Sequence, residues 1–525
     1  MFKKIKLYFF TIYNLKAIQI FYQIFYLFKK HLEISDKMYE FNYKKFIYLN
    51  PDKSFYNNKS FYSNYKFQFL NIEHEFKNHV DWNFDKYGKL WLYNLNYFDY
   101  LNQKNISKKH AENLILDFIY DYPKIIEGKD PYPTSLRIIN IIKFISKNKI
   151  KNKKINHLIY NDSKRLLNNI EYHILGNHIL ENSFALIYSS LFFDNKSFYD
   201  KGFKILNKEL KEQILDDGGH FELSPMYHNI ILIRILNLLI ICKAYEKRNL
   251  ELIKLLENNV KKMLSWSSQI SFNKLRYPLF NDSANKIIPE IKQIFDLAER
   301  NEIKYDLIKL NDSGYRKFSN DNYQIIVDVA NLGPDYQLAH AHADTFNFEL
   351  YIKQKPIIID KGISNYNKSK SREEERATHS HNTVQVDKKN SSQVWDIFRV
   401  ARRAKVISCE EGVNYIKGIH DGYKNIGVLH SRKWNFLKKQ IKISDEIFSK
   451  RKHKCRAYFH FHPDLKIDNI DNTISVESYS KITFKNFNSI KIKEYNYSPA
   501  FNQYLKSKVV EVVFFKKLET YINII

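Results

Sequence analysis

The run HAHADTFNFELYI, residues 340–352, with YQIIVDVA at 323–330 just before it, marks where the chain changes its repeat. Apolar, β-branched and aromatic residues here approach a period of two, the signature of strands with one face buried. Upstream, from about residue 111 to 272, the spacing is three and four. AENLILDFIYDY (111–122), SLRIINIIKFI (135–145), ENSFALIYSSLFF (181–193), NIILIRILNLLIICKAY (229–245) and ELIKLLENNVKKMLSW (251–266) predict helices. Short polar links join them, which suits antiparallel hairpins stacked into a bundle or toroid. Downstream, KPIIID (355–360), NTVQVD (382–387), AKVIS (404–408), KQIKISDEIF (439–448), CRAYFHFH (455–462), KITFKN (481–486) and VVEVVFF (509–515) continue as strands without intervening helices. That succession implies an antiparallel sandwich rather than a parallel α/β sheet. The expected organisation is α+β and multidomain: an N-terminal segment over 1–40, a helical unit over 41–310 and a β-sandwich unit over 311–525.

The 525 residues, 44% hydrophobic and 16% aromatic, make a chain able to build large cores and exclude a disordered or collagen-like class. Lys and Arg exceed Asp and Glu by 84 to 57, a net charge of +27 that favours polyanionic partners. Much of the excess is scattered Lys among Asn, Ile, Tyr and Phe, as an A/T-rich genome would encode. No zinc-finger spacing, RNA-recognition signature or dense Arg block points to nucleic acid. Cys242, Cys409 and Cys455 are far apart and odd in number, so a disulfide framework is not expected. Residues 1–30 carry Lys3, Lys4 and Lys6 and then an aromatic-rich stretch broken by Asn14, Lys16, Gln19 and Gln23. This reads as a basic amphipathic helix that packs on the protein or touches a membrane surface, with no small-residue cleavage site after it. A cytoplasmic or membrane-peripheral setting is the expectation, with periplasm or cell envelope as the alternative.

Three clusters could carry chemistry. On a strand, His340, His342 and Asp344 would share one face, and Asp360, His379 and His381 fall at the edges of nearby strands. Imidazole and carboxylate from neighbouring strands are competent for tetrahedral zinc, against the plain reading of a hydrogen-bonded polar edge. In EYHILGNHILENSFAL (171–186), a helix beginning near Gly176 sets Asn177 one turn from Glu181 and His178 one turn from Asn182, against a reading in which Asn177 caps and Glu181 is solvated. In DGGHFELSPMYHN (217–229), Pro225 opens a helix whose first turn holds Tyr227 and His228; Tyr227 alone reads equally as core.

These segments recur in order with LKAIQIFYQIFY (15–26), WNFDKYGKLWLYNLNYFDYL (82–101), YPTSLRIIN (132–140), PLFNDSAN (278–285), IIIDKGISNY (357–366), ATHSHNTVQVD (377–387) and VWDIFRVARRA (394–404). The whole resembles the heparinase II/III-like family of polysaccharide lyases, in its alginate lyase-like bacterial branch associated with exopolysaccharide loci. The resemblance implies an incomplete (α/α) toroid followed by an antiparallel β-sandwich, and β-elimination next to a uronic acid in an acidic polysaccharide. By motif, it implies that Asn177 and His178 neutralise the substrate carboxylate and handle protons with Glu181 in support, and that Tyr227 is the general acid or base. As a base near neutral pH, Tyr227 would need a nearby cation to lower its pKa, with His340 as the candidate. It places zinc, mainly as a structural brace, on His342, Asp360 and His381. Tyr366 is the only tyrosine between those last two ligands, and Arg137, Arg399 and Arg403 are plausible anion contacts. A uronyl C5-epimerase shares the first proton abstraction and is the alternative enzyme; a glycoside hydrolase would need opposed carboxylates, for which Glu181 and Glu222 are available; a non-catalytic glycan-binding or assembly protein is the third reading.

Overall fold

A computed structural model describes residues 2–31, 45–55, 57–62 and 65–525. The expected boundary at 40/41 lies outside the described residues. The amino-terminal stretch is two helices, α1 (Phe2–Ile12) and α2 (Ala17–His31), rather than one.

The helical half then runs through α3 (Lys89–Tyr97), α4 (Lys108–Asp121), α5 (Pro131–Asn148), α6 (Lys153–Leu167), α7 (Gly176–Phe193), α8 (Lys196–Gln213), α9 (Pro225–Ala244), α10 (Leu250–Gln269) and α11 (Ile291–Arg300). Ser107, Asn152, Asn195, Ser224 and Asn249 each cap the helix that follows by accepting an N–H from its first turn. These polar links therefore start helices as well as join them. The apolar pattern sorts the helices into two layers. Nearly every residue of α5, α7 and α9 is buried, while α6, α8 and α10 bury one stripe and expose the other, so the first three line the inside of an incomplete toroid and the second three its outside. Arg137 belongs to this interior. Its guanidinium holds Asp162 at 2.9 Å and the Gly128 carbonyl at 2.7 Å and is fully buried, so it ties α5 to α6 and is not an anion contact.

The sheet half is antiparallel throughout its named strands. A meander of 315–319, 323–328, 348–352 and 355–358 joins, through an Ile358–Phe461 bridge, a four-stranded sheet ordered 489–497, 505–514, 455–460, 384–386. An eight-stranded sheet faces them, with 429–437, 440–448 and 517–524 at its centre. Alternate residues such as Trp434, Ile443 and Ile522 point inward against Phe348, Phe459 and Val512, forming one sandwich core. Inside it, Arg432 pairs with Asp445 and donates its other fork to the carbonyls of Phe346 and Asn382, pinning the loops on either side of the histidine segments.

His340, His342 and Asp344 do not lie on a strand. Residues 340–347 form turns, with Phe346 at φ 71°, and the strand begins at Phe348. The backbone there pairs with a distant loop: the Asp282 N–H donates to the His340 carbonyl (3.0 Å), and the His342 N–H to Asn281 Oδ1 (2.9 Å). A local alternation could not announce a partner some sixty positions away.

The two halves meet over Leu223, Trp266, Phe280, Tyr315, Ile326 and Tyr351. Asp217 locks this seam. One of its oxygens accepts the Asn311 and Ser313 N–H groups and the Ser313 hydroxyl at 3.0, 2.9 and 2.7 Å. Asp217→Asn retains the shape but sets an amide donor among these donors. It is expected to reduce unfolding free energy by about 1–3 kcal/mol, read as a lower denaturant midpoint with an unchanged slope.

Candidate active site

The N-termini of the three inner helices converge at one place. At α7, Gly176 sits at φ 58°, and a Cβ there would collide with Glu222 Oε1. Glycine thus lets the Glu222 carboxylate reach the end of the helix, where it accepts the Asn177 N–H (2.9 Å) and the Asn177 side-chain amide (3.1 Å). Burial alone would raise the Glu222 pKa, but His340, His220 and the Asn177 donors outweigh it and hold the carboxyl below its ordinary value.

His178, on the next residue of α7, keeps 27% of its side chain exposed and packs against the Tyr132 ring at 4.3 Å. Its Nδ1 lies 3.0 Å from Glu171 Oε1, and Asn182 donates to the other Glu171 oxygen at 2.9 Å. Burial pulls the imidazole pKa down, yet Glu171 reverses the balance and the net shift is upward.

At α9, Ser224 caps the Tyr227 N–H (3.2 Å) and Pro225 opens the helix. The Tyr227 ring stacks on His340 with centroids 3.9 Å apart and planes 25° apart, and its hydroxyl lies 3.4 Å from that of Tyr366. Burial, then Tyr366, Asp282 and Glu222, push the Tyr227 phenol well above its usual pKa. The expectation of a cation lowering it is therefore corrected: its surroundings keep Tyr227 protonated.

Asp282 organises the sheet side. Its fully buried carboxylate meets His340 Nδ1 at 2.9 Å, His342 Nε2 at 2.8 Å and both ends of the Arg372 fork at 2.5 and 2.7 Å. Burial would raise its pKa, but Arg372 and the two imidazoles hold it well below the carboxylate range. His340 Nδ1 donates toward the Asp282 carboxylate, and its Nε2 lies 3.7 Å from Glu222 Oε2. The Arg372 guanidinium also lies over the Tyr366 ring at 4.9 Å.

His342, Asp360 and His381 come together. His381 Nδ1 meets Asp360 Oδ2 at 2.7 Å, and the His342 and His381 rings are 5.2 Å apart. His342 Nδ1, His381 Nε2 and Asp344 Oδ2 are buried without a hydrogen-bond partner. Asp360 differs from them: its oxygens also receive Asn347 Nδ2 (2.6 Å) and the Gly362 N–H (3.0 Å), so it stands behind His381 as an orienting group. Among the described residues no three such side chains converge as a finished metal site. The donor set, two carboxylate-oriented imidazoles with spare nitrogens beside a spare carboxylate oxygen, nonetheless has the chemistry that zinc takes.

A cavity of about 450 Å³ has Tyr97, Asp99, Tyr132, Tyr227, Arg234 and Tyr366 in its wall; it meets the site through Tyr227 and Tyr366, and Asn177, His178 and His340 are not among its lining residues. Glu181 is not in that wall; it is fully buried and accepts from Arg234 Nε at 3.0 Å, so it orients the arginine. Glu222 is likewise a positioning group, which leaves the hydrolase reading without a pair of carboxylates facing a substrate. Arg399 and Arg403 are also away from the cavity. Arg399 lies between the Tyr8 and Trp395 rings at 5.2 and 5.0 Å, and Arg403 binds the Asp335 carbonyl and carboxylate at 2.5 and 3.2 Å. Arg234 is the arginine that the fold brings to the cavity. Its place in the α9 run, seven residues after Tyr227 and four after Ile230, was a sequence signal for it, since these share a helix face. Asp282 sits in PLFNDSAN, which carries the family resemblance without pointing to a site residue, and Arg372 in the charged run SREEER (371–376), which resembles any solvated face.

Residues 135–305 match the family described as Heparinase II/III N-terminus, and residues 302–520 that described as Heparinase II/III-like, C-terminal. The chain is 26% identical over 319 residues to a heparin-sulfate lyase of Bacteroides stercoris, covering 55% of this chain and 46% of the relative. It is 28% identical over 251 residues to a heparin-sulfate lyase of Pedobacter heparinus, covering 41% and 36%. The chain thus spans less than half the length of either relative. Among solved structures, the Heparinase III-BT4657 gene product superposes with a TM-score of 0.62 at 19% identity, over 86% of this chain and 82% of that one. Heparan sulfate lyase HepC from Pedobacter heparinus superposes with a TM-score of 0.55 at 18% identity, over 88% and 81%. These share the toroid-and-sandwich fold. With both halves matched in order, the chain belongs to the heparinase II/III-like family.

Proposed function

We propose that the chain is a polysaccharide lyase that breaks a uronate-containing acidic glycan by β-elimination. The observation that carries this reading is the Tyr227–His340 stack, contributed by opposite halves of the molecule, with Glu222 between His340 and Asn177. Elimination requires the uronate carboxylate to be neutralised, the C5 proton to be removed and the leaving oxygen to be protonated. Asn177 and a protonated His178, at the positive end of α7, suit the first task. His340 Nε2, whenever it carries no proton, suits the second, with Nδ1 held by Asp282. Tyr227, held as a phenol, suits the third. The C5 proton passes to His340 and its electron pair is held with the neutralised carboxylate as an enolate; that pair then forms the C4–C5 double bond as the C4–O bond breaks, and the Tyr227 proton passes to the departing oxygen. Stacked rings put base and acid on the same face of the sugar, as a syn elimination needs. The relatives named heparin-sulfate lyase support this class of substrate; which sugar is cleaved depends on the cavity rather than on the fold.

The same reading assigns zinc to His342 and His381 with the spare oxygen of Asp344, while Asp360 orients His381. Bound there, it would brace the loops that carry His340. Metal analysis of the purified protein is expected to find zinc, and His342→Ala to lose it together with part of the thermal stability.

Incubation with heparan sulfate, chondroitin, alginate and bacterial exopolysaccharides, followed by ultraviolet absorbance of the unsaturated uronate, tests the activity; silence across the panel would count against it. On the substrate that responds, Tyr227→Phe is expected to lower cleavage by about 10²–10⁴-fold while C5 deuterium exchange continues. His340→Ala is expected to stop both. Exchange in the unaltered protein with chain length unchanged would instead select the C5-epimerase.

The His178 cation is held to higher pH by Glu171. Its contribution to substrate binding is present at pH below the ordinary histidine value and is lost as pH rises through its raised pKa. In Glu171→Gln, the alkaline rise of KM is expected to begin at lower pH, with the acid side little changed.

A further inference from the structure

Helices α1 and α2 are held to the body by polar side chains together with Tyr8, Phe10, Ile18 and Tyr22, and leave most of their other apolar side chains in solvent. The Tyr26 hydroxyl donates to the Ile170 carbonyl (2.8 Å), Trp395 Nε1 donates to Thr11 Oγ1 (3.1 Å), and Lys16 pairs with Glu212. Gln19 is buried and gives its amide to the carbonyls of Ile174 (3.2 Å) and Tyr336 (3.3 Å), so one side chain spans the helical and sheet halves. On the outward side, Ile5, Phe9, Ile12 and Tyr13 of the first helix and its end, and Ile20, Phe21, Ile24, Phe25, Leu27 and Phe28 of the second, are all exposed. Phe9 and Phe21 are each 61% exposed and Leu27 69%. A helix facing water carries polar residues there, and a contiguous apolar patch of this kind marks a contact surface.

Charge identifies the partner. Residues 2–31 contain six lysines and no acidic residue, and Lys4 and Lys6 are exposed on α1. Exposed aromatics flanked by unpaired cations complement an anionic lipid surface, where rings sit at the headgroup level and lysines meet phosphate. At 11 and 15 residues, neither helix reaches across a hydrocarbon core about 30 Å thick.

We propose that α1 and α2 seat the protein on an anionic bilayer, lying in the plane of the interface. Because Gln19 ties α2 to Ile174 of the helical half and Tyr336 of the sheet half, this docking would hold both halves to the membrane through one helix pair. The inference is independent of the lyase reading.

The test is co-sedimentation of the full chain with vesicles of phosphatidylglycerol and phosphatidylethanolamine, against vesicles of phosphatidylcholine alone. Binding to the anionic vesicles that weakens with added salt, and little binding to phosphatidylcholine, is expected. The combined variant Phe9→Ser, Phe21→Ser, Phe25→Ser and Phe28→Ser should lower partitioning by at least about tenfold, with its thermal midpoint checked against the parent. Lys4→Glu with Lys6→Glu, both on exposed positions, should weaken binding to anionic vesicles without changing the fold. No binding by the parent chain, or equal binding by parent and variants, would overturn the proposal. So would a lipid-free dimer, seen by light scattering, that the four serines dissociate, because the face would then belong to a second copy of the chain.

Discussion

A carboxylate with no access to water must be surrounded by donors, and the donors around Asp282 are what assemble the cleft. Arg372 comes from a short helix between strands, His340 and His342 from the turn before a strand, and Asp282 itself from the loop that leaves the helical half. Removing any one donor leaves the others around a charge that burial penalises by several kcal/mol. Two of its four contacts orient the His340 and His342 imidazoles, so the group that satisfies this buried junction electrostatically also sets the rings of the candidate site. Asp217 and Gln19 reinforce the junction at its edges, one from the core and one from the surface.

The positive end of the cleft is built from backbone. α5, α7 and α9 begin at Pro131, Gly176 and Pro225, and their first turns supply Tyr132, Asn177, His178 and Tyr227. Helix dipoles aimed at a common point favour an anion without placing a mobile cation there. This makes the net charge of +27 a weaker guide than it looks: most lysines are remote from the cleft, while aligned peptide groups, invisible to a charge count, act directly.

Much of the architecture was legible because the period of the apolar residues is itself the constraint that folding satisfies. The inner helices read as long apolar runs, α10 as a stripe and the strands as alternation; α6 and α8, lysine-rich with narrow apolar stripes, were not read. The turn at 340–347 was not legible, since its hydrogen-bond partners at Asn281 and Asp282 are distant in sequence and the HAHAD spacing imitates a strand. Arginines were the least readable group. Arg137, Arg399 and Arg403 satisfy internal partners, whereas Arg234, a lone cation in an apolar helix, reaches the cavity; the choice among them is made by packing, which no local pattern expresses. Tyr227 and His340 were nameable from motif, but the protonated state of the phenol follows from burial between groups contributed by both halves.

The stacked pair has a consequence for how such a molecule can arise. Its phenol is encoded more than a hundred residues before its imidazole, in a unit of different architecture, so neither unit alone holds the stack. A toroid or a sandwich copied alone into another gene would carry one ring without the other, so inheritance has to keep the two joined and in register.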